Sequence, residues 1–88
     1  MKYYIIVTEW DYPTESGRDI IDDFNTIEMA RRVAKEEVDK ECNNFLERNI
    51  CIKGEIIKNN EIIGYQVYTK DGRYFRSRII EINDSEIL

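Results

Sequence analysis

The side chains that could do chemistry are few, and one omission narrows them further: the 88 residues include no histidine. That removes the commonest general base and metal ligand, and with them every Ser-His or Cys-His nucleophile pair. Two cysteines remain, Cys42 and Cys51. They do not form a CxxC pair, and in a chain without an export signal they read as reduced thiols, Cys42 as a small apolar member of a helix stripe. Gly17, Gly54, Gly64 and Gly72 form neither a GxGxxG run nor a P-loop, so no phosphate-cradling loop is expected.

Two groups of residues carry charge in a pattern. The first is acidic and surrounds residues 9–23: Glu9, Asp11, Glu15, Asp19, Asp22 and Asp23. Carboxylates can hold calcium or magnesium, but this spacing lacks the alternation of an EF-hand, and neither a metal nor a cofactor is expected. The sharper reading is a surface for a basic partner, such as a host nucleic-acid-binding enzyme. It uses Asp11, Glu15, Asp19, Asp22 and Asp23, with Trp10 and Tyr12 as an exposed aromatic anchor. The bland reading is a solvated loop, with the two aromatics closing one end of the core.

The second group lies between residues 53 and 78, where Lys53, Lys58, Lys70, Arg73, Arg76 and Arg78 alternate with Tyr65, Tyr68, Tyr74 and Phe75. Strand alternation puts Tyr74, Arg76 and Arg78 on one face, an arrangement that could stack a base and pair with phosphate. Arg73, Arg76, Arg78, Tyr65, Tyr68 and Tyr74 are therefore candidates for binding a small nucleotide-like anion. Cross-strand charge pairing on a solvated face is the bland reading. Nucleic acid itself is disfavoured by a formal net charge of −5 and a pI near 4.7. The charge is uneven: residues 1–44 hold eleven acids against six bases, and residues 45–88 hold seven of each.

These side chains must be positioned by elements whose signals are readable. Tyr3 to Trp10 mixes β-branched and aromatic residues, as a half-buried strand does. The segment from Asp11 to Gly17 holds the only proline and reads as a reversing loop; Arg18 to Phe24 returns as a weak strand whose aspartates suit a solvated edge. Asn25 or Thr26 can cap a helix over about 26–48. Its apolar stripe of Ile27, Ala30, Val33, Ala34, Val38, Cys42, Phe45 and Leu46 advances in steps of three and four. On its outer side, Glu28 and Arg32, and Glu36 and Lys40, are spaced for pairing four residues apart. Cys51 to Lys58, Glu61 to Thr69 and Tyr74 to Ile82 are further strands. Asn59-Asn60 and Asp71-Gly72 are the turns between them, and Gly54 and Gly64 are candidate bulges. The tail from Asn83 to Leu88 is polar, then apolar, and is expected to fray unless docked.

The expectation is a single domain over residues 1–88, a two-layer α+β sandwich of order ββαβββ with one long helix on an antiparallel sheet. A single helix leaves one sheet face bare, so self-association into a homodimer, through that face or an edge strand, is expected. No stretch approaches the roughly eighteen apolar residues of a membrane span, and the N-terminus lacks a signal-peptide pattern, so a cytoplasmic site is expected. Fifteen isoleucines and seven asparagines suit AT-rich coding sequence of bacterial or phage origin. The leading functional expectation is a small acidic, non-enzymatic binding protein. It would be a phage or mobile-element factor that occludes or sequesters a bacterial host component, as an anti-defence inhibitor does. The alternative is a module binding a nucleotide-like anion at the arginines and tyrosines above.

Overall fold

The computed structural model describes residues 2–12, 15–44 and 51–83, without the side chains of Glu15, Asp22 and Asn44. The order is β1 (Lys2–Tyr12), β2 (Glu15–Phe24), α1 (Ile27–Asn44), β3 (Ile52–Lys58), β4 (Glu61–Tyr68) and β5 (Tyr74–Asn83). The expected ββαβββ sandwich is present. The strands form one antiparallel sheet in the order β2-β1-β5-β4-β3, so the first strand pairs with the last. Phe45, Leu46 and the rest of the expected helix to residue 48 lie outside the described residues, as does the tail beyond Asn83.

Helix α1 starts where Thr26 caps it: its hydroxyl accepts from the Met29 amide at 3.2 Å, and its carbonyl accepts the first helical bond, from Ala30. Ala30, Ala34, Val38 and Cys42 line the buried stripe. The two alanines are fully buried against Ile6 and Ile79, and their small size lets the helix axis sit close over β1 and β5. Further along, Val38 and Cys42 meet Tyr12, Val67 and Phe75 in a second cluster, and Tyr65 touches both clusters. On the outer side the expected four-apart pairs give way to shorter reaches. Lys40 meets Glu37 at 3.4 Å, and the Arg32 guanidinium lies 3.0 Å from the Met29 sulfur.

The first hairpin is longer than its turn-forming residues suggest. Asp11, Tyr12, Glu15, Ser16 and Gly17, read from sequence as loop, all belong to the ladder. The reason is local: the Trp10 ring lies over Gly17, where a Cβ would collide with it, and Tyr12 is buried and donates to Glu41 Oε1 at 2.7 Å. Trp10 and Tyr12 thus sit on the helix side of the sheet, in or against the core, rather than as an exposed anchor. A register shift opposite Tyr4 to Ile6 inserts one extra residue between Ile21 and Phe24. Ile21 and Phe24, three apart, would otherwise point to opposite faces; the bulge turns both toward the helix-side cluster.

The meander is shaped by two turns and one bulge. Asn59 and Asn60 both have positive φ, 53° and 64°, as a two-residue type I′ turn requires. The second hairpin differs from that pattern. Only Gly72 is left-handed there (φ 94°). Its amide donates to the Thr69 carbonyl, and the Thr69 amide donates to Arg73, giving a three-residue loop with a glycine bulge. Of the two candidate bulge glycines, Gly54 lies in regular ladder, whereas Gly64 adjoins a register shift that leaves Ile63 extra in β4. A Cβ on Gly64 would run into the Ser77 carbonyl oxygen and lie 3.1 Å from the Arg78 Cα, both backbone of the neighbouring strand. Arg31 Nε donates to the Ile62 carbonyl at 2.9 Å, fastening the helix to this irregular point.

Because the obstructing atoms at Gly64 are backbone, β4 and β5 must separate to admit a side chain. Gly64→Ala is expected to destabilise the fold by about 2 kcal/mol or more, measured by urea unfolding. Gly54→Ala, with nearest atoms at 3.9 Å on a flexible glutamine side chain, is the matched control and is expected to change stability far less.

Candidate interaction face

Cross-strand partners share a face, so the register defines the sheet surface opposite α1 row by row. One row runs Ser16, Asp11, Tyr74, Tyr68, Ile52; the next runs Arg18, Glu9, Arg76, Gln66, Gly54; the third runs Ile20, Val7, Arg78, Gly64, Ile56. Ile5 and Ile80 follow. Six large apolar side chains are exposed among the described residues, and four of them, Ile20, Ile52, Tyr68 and Ile80, lie on this face. Ile20 is the most open, at 63% exposure. The surface therefore has apolar and aromatic margins around a charged centre.

That centre is built on Glu9. Arg78 Nη2 donates to Glu9 Oε1, and Arg18 Nη2 lies 3.5 Å from the same oxygen. Burial alone would raise the Glu9 pKa; the hydrogen bond and charge of Arg78, then those of Arg18, outweigh it and hold the carboxyl below its ordinary value. Arg76 stands opposite Glu9 in the ladder but turns away from it, with its guanidinium carbon 4.5 Å from the centroid of the Tyr74 ring. Among the described residues, the buried Nε atoms of Arg76 and Arg78 have no acceptor. Two guanidiniums, Arg78 and Arg18, thus share one central carboxylate, with Arg76 beside them and Asp11 at the margin. The middle of this face is positive in a chain whose net charge is −5.

Four of the residues expected to hold an anion do meet here: Arg76, Arg78, Tyr68 and Tyr74. The other two do not. Tyr65 points to the helix side, where it joins the two core clusters. Arg73 is engaged within its own hairpin, with Nε and Nη2 at 3.1 and 3.0 Å from the two Asp71 oxygens. Thr69 donates to the same carboxylate, and these contacts, Thr69 first, hold the Asp71 pKa down.

The acidic group does not converge. Glu9 belongs to the arginine centre and Asp11 to the open face. Asp19 faces the helix side at the β2 edge and accepts from the Ile20 amide at 2.8 Å. Asp23 is exposed near the β2 bulge, and the side chains of Glu15 and Asp22 lie outside the described residues. Among the described residues, no three carboxylate or thiol side chains are placed to hold a metal ion. No helix of the described residues is long and apolar enough to cross a membrane. Arg18, Ile20 and Ile80 were not singled out from sequence. Alternation along β2 pairs Arg18 with Ile20, but only the β1–β2 and β1–β5 registers bring them beside Glu9 and Arg78.

Comparison of the chain with protein-family models, with curated proteins and with solved structures gives no match.

A carboxyl held below its ordinary value stabilises the fold above that value, and the contribution is lost as pH falls through the folded-state pKa. Glu9→Gln is expected to cost about 1 kcal/mol at neutral pH, because Arg78 loses its charged acceptor. The gap between variant and parent should close well below the ordinary value of 4.5. Urea unfolding at neutral and at acid pH measures both.

Proposed function

We propose that this chain is a non-enzymatic interaction module that engages a partner macromolecule through the uncovered face of its sheet. The observation that supports this most is the concentration of exposed Ile20, Ile52, Tyr68 and Ile80 around a compact arginine centre. Exposed aromatic and apolar side chains around arginine are the composition of binding hot spots. The other face carries α1 over its central strands. In this reading the protein acts in the cytoplasm of a bacterium as a phage or mobile-element factor, occluding or sequestering a host component. The aspartates along the β2 edge would steer it toward a basic surface of that component. Self-association through the same bare face belongs to this reading.

Immobilised wild-type protein is expected to retain a specific partner from bacterial lysate. Arg76→Glu and Tyr68→Ala on the open face should weaken retention at least tenfold, about 1.4 kcal/mol. Lys40→Glu, on the exposed side of α1, is expected to leave it unchanged. Equal retention by all three variants would rule this face out.

A second reading is favoured by one observation: Arg76 lies over Tyr74 and, among the described residues, has no hydrogen-bonded carboxylate. A small anion with an aromatic ring could stack on Tyr68 or Tyr74 and bridge Arg76 and Arg78. At a hundred times its Kd such a ligand adds about 2.7 kcal/mol of stability, an easily measured rise in melting temperature. A nucleotide panel should therefore contain at least one compound that raises the melting point of the wild type but not of Arg76→Gln. A flat response throughout would remove this reading.

A further inference from the structure

Cys42 and Cys51 are brought together by the fold. Cys42 ends the buried stripe of α1, and Cys51 immediately precedes β3. Cys51 packs against the cluster of Tyr12, Val38, Cys42, Val67 and Phe75, near enough to the Cys42 thiol for that thiol to raise its pKa. The same two elements are joined just outside the core by Lys53 and Asp39, 3.0 Å apart. Two thiols packed at one end of the core, on elements already tied by an ion pair, can reach bonding distance by local movement.

We propose that Cys42 and Cys51 form a dithiol–disulfide site, oxidised by small-molecule disulfides, that staples the end of α1 to the start of β3. The order of events follows from access. Cys51 is half-buried and meets the reagent, whereas Cys42 is 9% exposed. The Cys51 thiolate attacks one sulfur of the reagent, forming a mixed disulfide and expelling one thiolate, which takes a proton from water. Cys42 then loses its proton to solvent, and its sulfur attacks the Cys51 sulfur, expelling the second reagent thiol. Two protein thiols are oxidised and the reagent is reduced to two thiols.

The surroundings make the first step slow. Burial, then the Cys42 thiol, push the Cys51 thiol up to about 11, against the smaller opposing pull of Lys53 and Arg73. The α1 carboxylates on this side are taken up elsewhere, Asp39 by Lys53 and Glu41 by the Tyr12 hydroxyl. Little thiolate exists at neutral pH, so the site responds to sustained rather than brief oxidation.

The experiment is incubation of the native protein with glutathione disulfide, followed by intact mass, thiol titration and thermal melting. The wild type should lose two hydrogens without a glutathione adduct, retain no titratable thiol, and melt roughly 5–15 °C higher because a short loop is closed. Cys42→Ser should hold glutathione on Cys51 as a stable adduct, having no second thiol to expel it. Cys42→Ala serves in its place if circular dichroism shows the serine variant unfolded. A wild type that accumulates the adduct, forms covalent dimers, or keeps both thiols while the urea-unfolded chain reacts would overturn the proposal.

Discussion

The fold depends on how closely one helix can approach one sheet. Ala30 and Ala34 have no exposed surface and sit against Ile6 and Ile79 on the two central neighbours, β1 and β5. Such small side chains permit a near approach, which lets larger residues on either side, Tyr4 and Phe24 at one end and Val38 and Phe75 at the other, close around the contact. The strand irregularities serve the same contact. The β2 bulge turns Phe24 toward it, and the β4 bulge presents the Ile62 carbonyl to Arg31. A larger residue at position 30 or 34 would lift the helix and loosen both clusters together.

Covering the centre of one face with the helix leaves the other to be managed by polar means. Burying Val7 beside Glu9 works because the carboxylate is met by two guanidiniums, one from each flanking strand. This charge centre ties β2, β1 and β5 together from the side opposite the helix. It also leaves Arg76 with an aromatic ring instead of a counter-ion. Neighbouring arginines are thus held differently: Arg78 by the Glu9 carboxylate, Arg76 by the Tyr74 ring.

Much of the architecture was legible in the residues because its signals are local. The three-and-four spacing from Ile27 to Cys42, the cap at Thr26 and the left-handed pair Asn59-Asn60 each need only neighbouring positions to be understood. Alternation likewise placed Tyr74, Arg76 and Arg78 together. The same alternation argues against grouping Tyr65 with Tyr68, which three positions along a strand separate onto opposite faces. Trp10 and Tyr12 were harder, since turn-forming residues beside them mask a ladder that continues because Gly17 makes room for an indole. The strand order and the sharing of Glu9 are non-local. Each depends on pairings between residues distant along the chain, for which composition and spacing carry no mark.

The pairing of β1 with β5 also bears on how the molecule comes into being. Nearly the whole chain separates these partners, so the central ladder has a high contact order and a large loop-closure cost before any reward is gained. During synthesis, the amino-terminal hairpin and the helix must wait beside the ribosome with Ile6 and Ala34 unpartnered by Ile79 until the final strand has emerged. A chain interrupted before β5 would have neither cluster complete and would present its apolar stripe to proteases and chaperones.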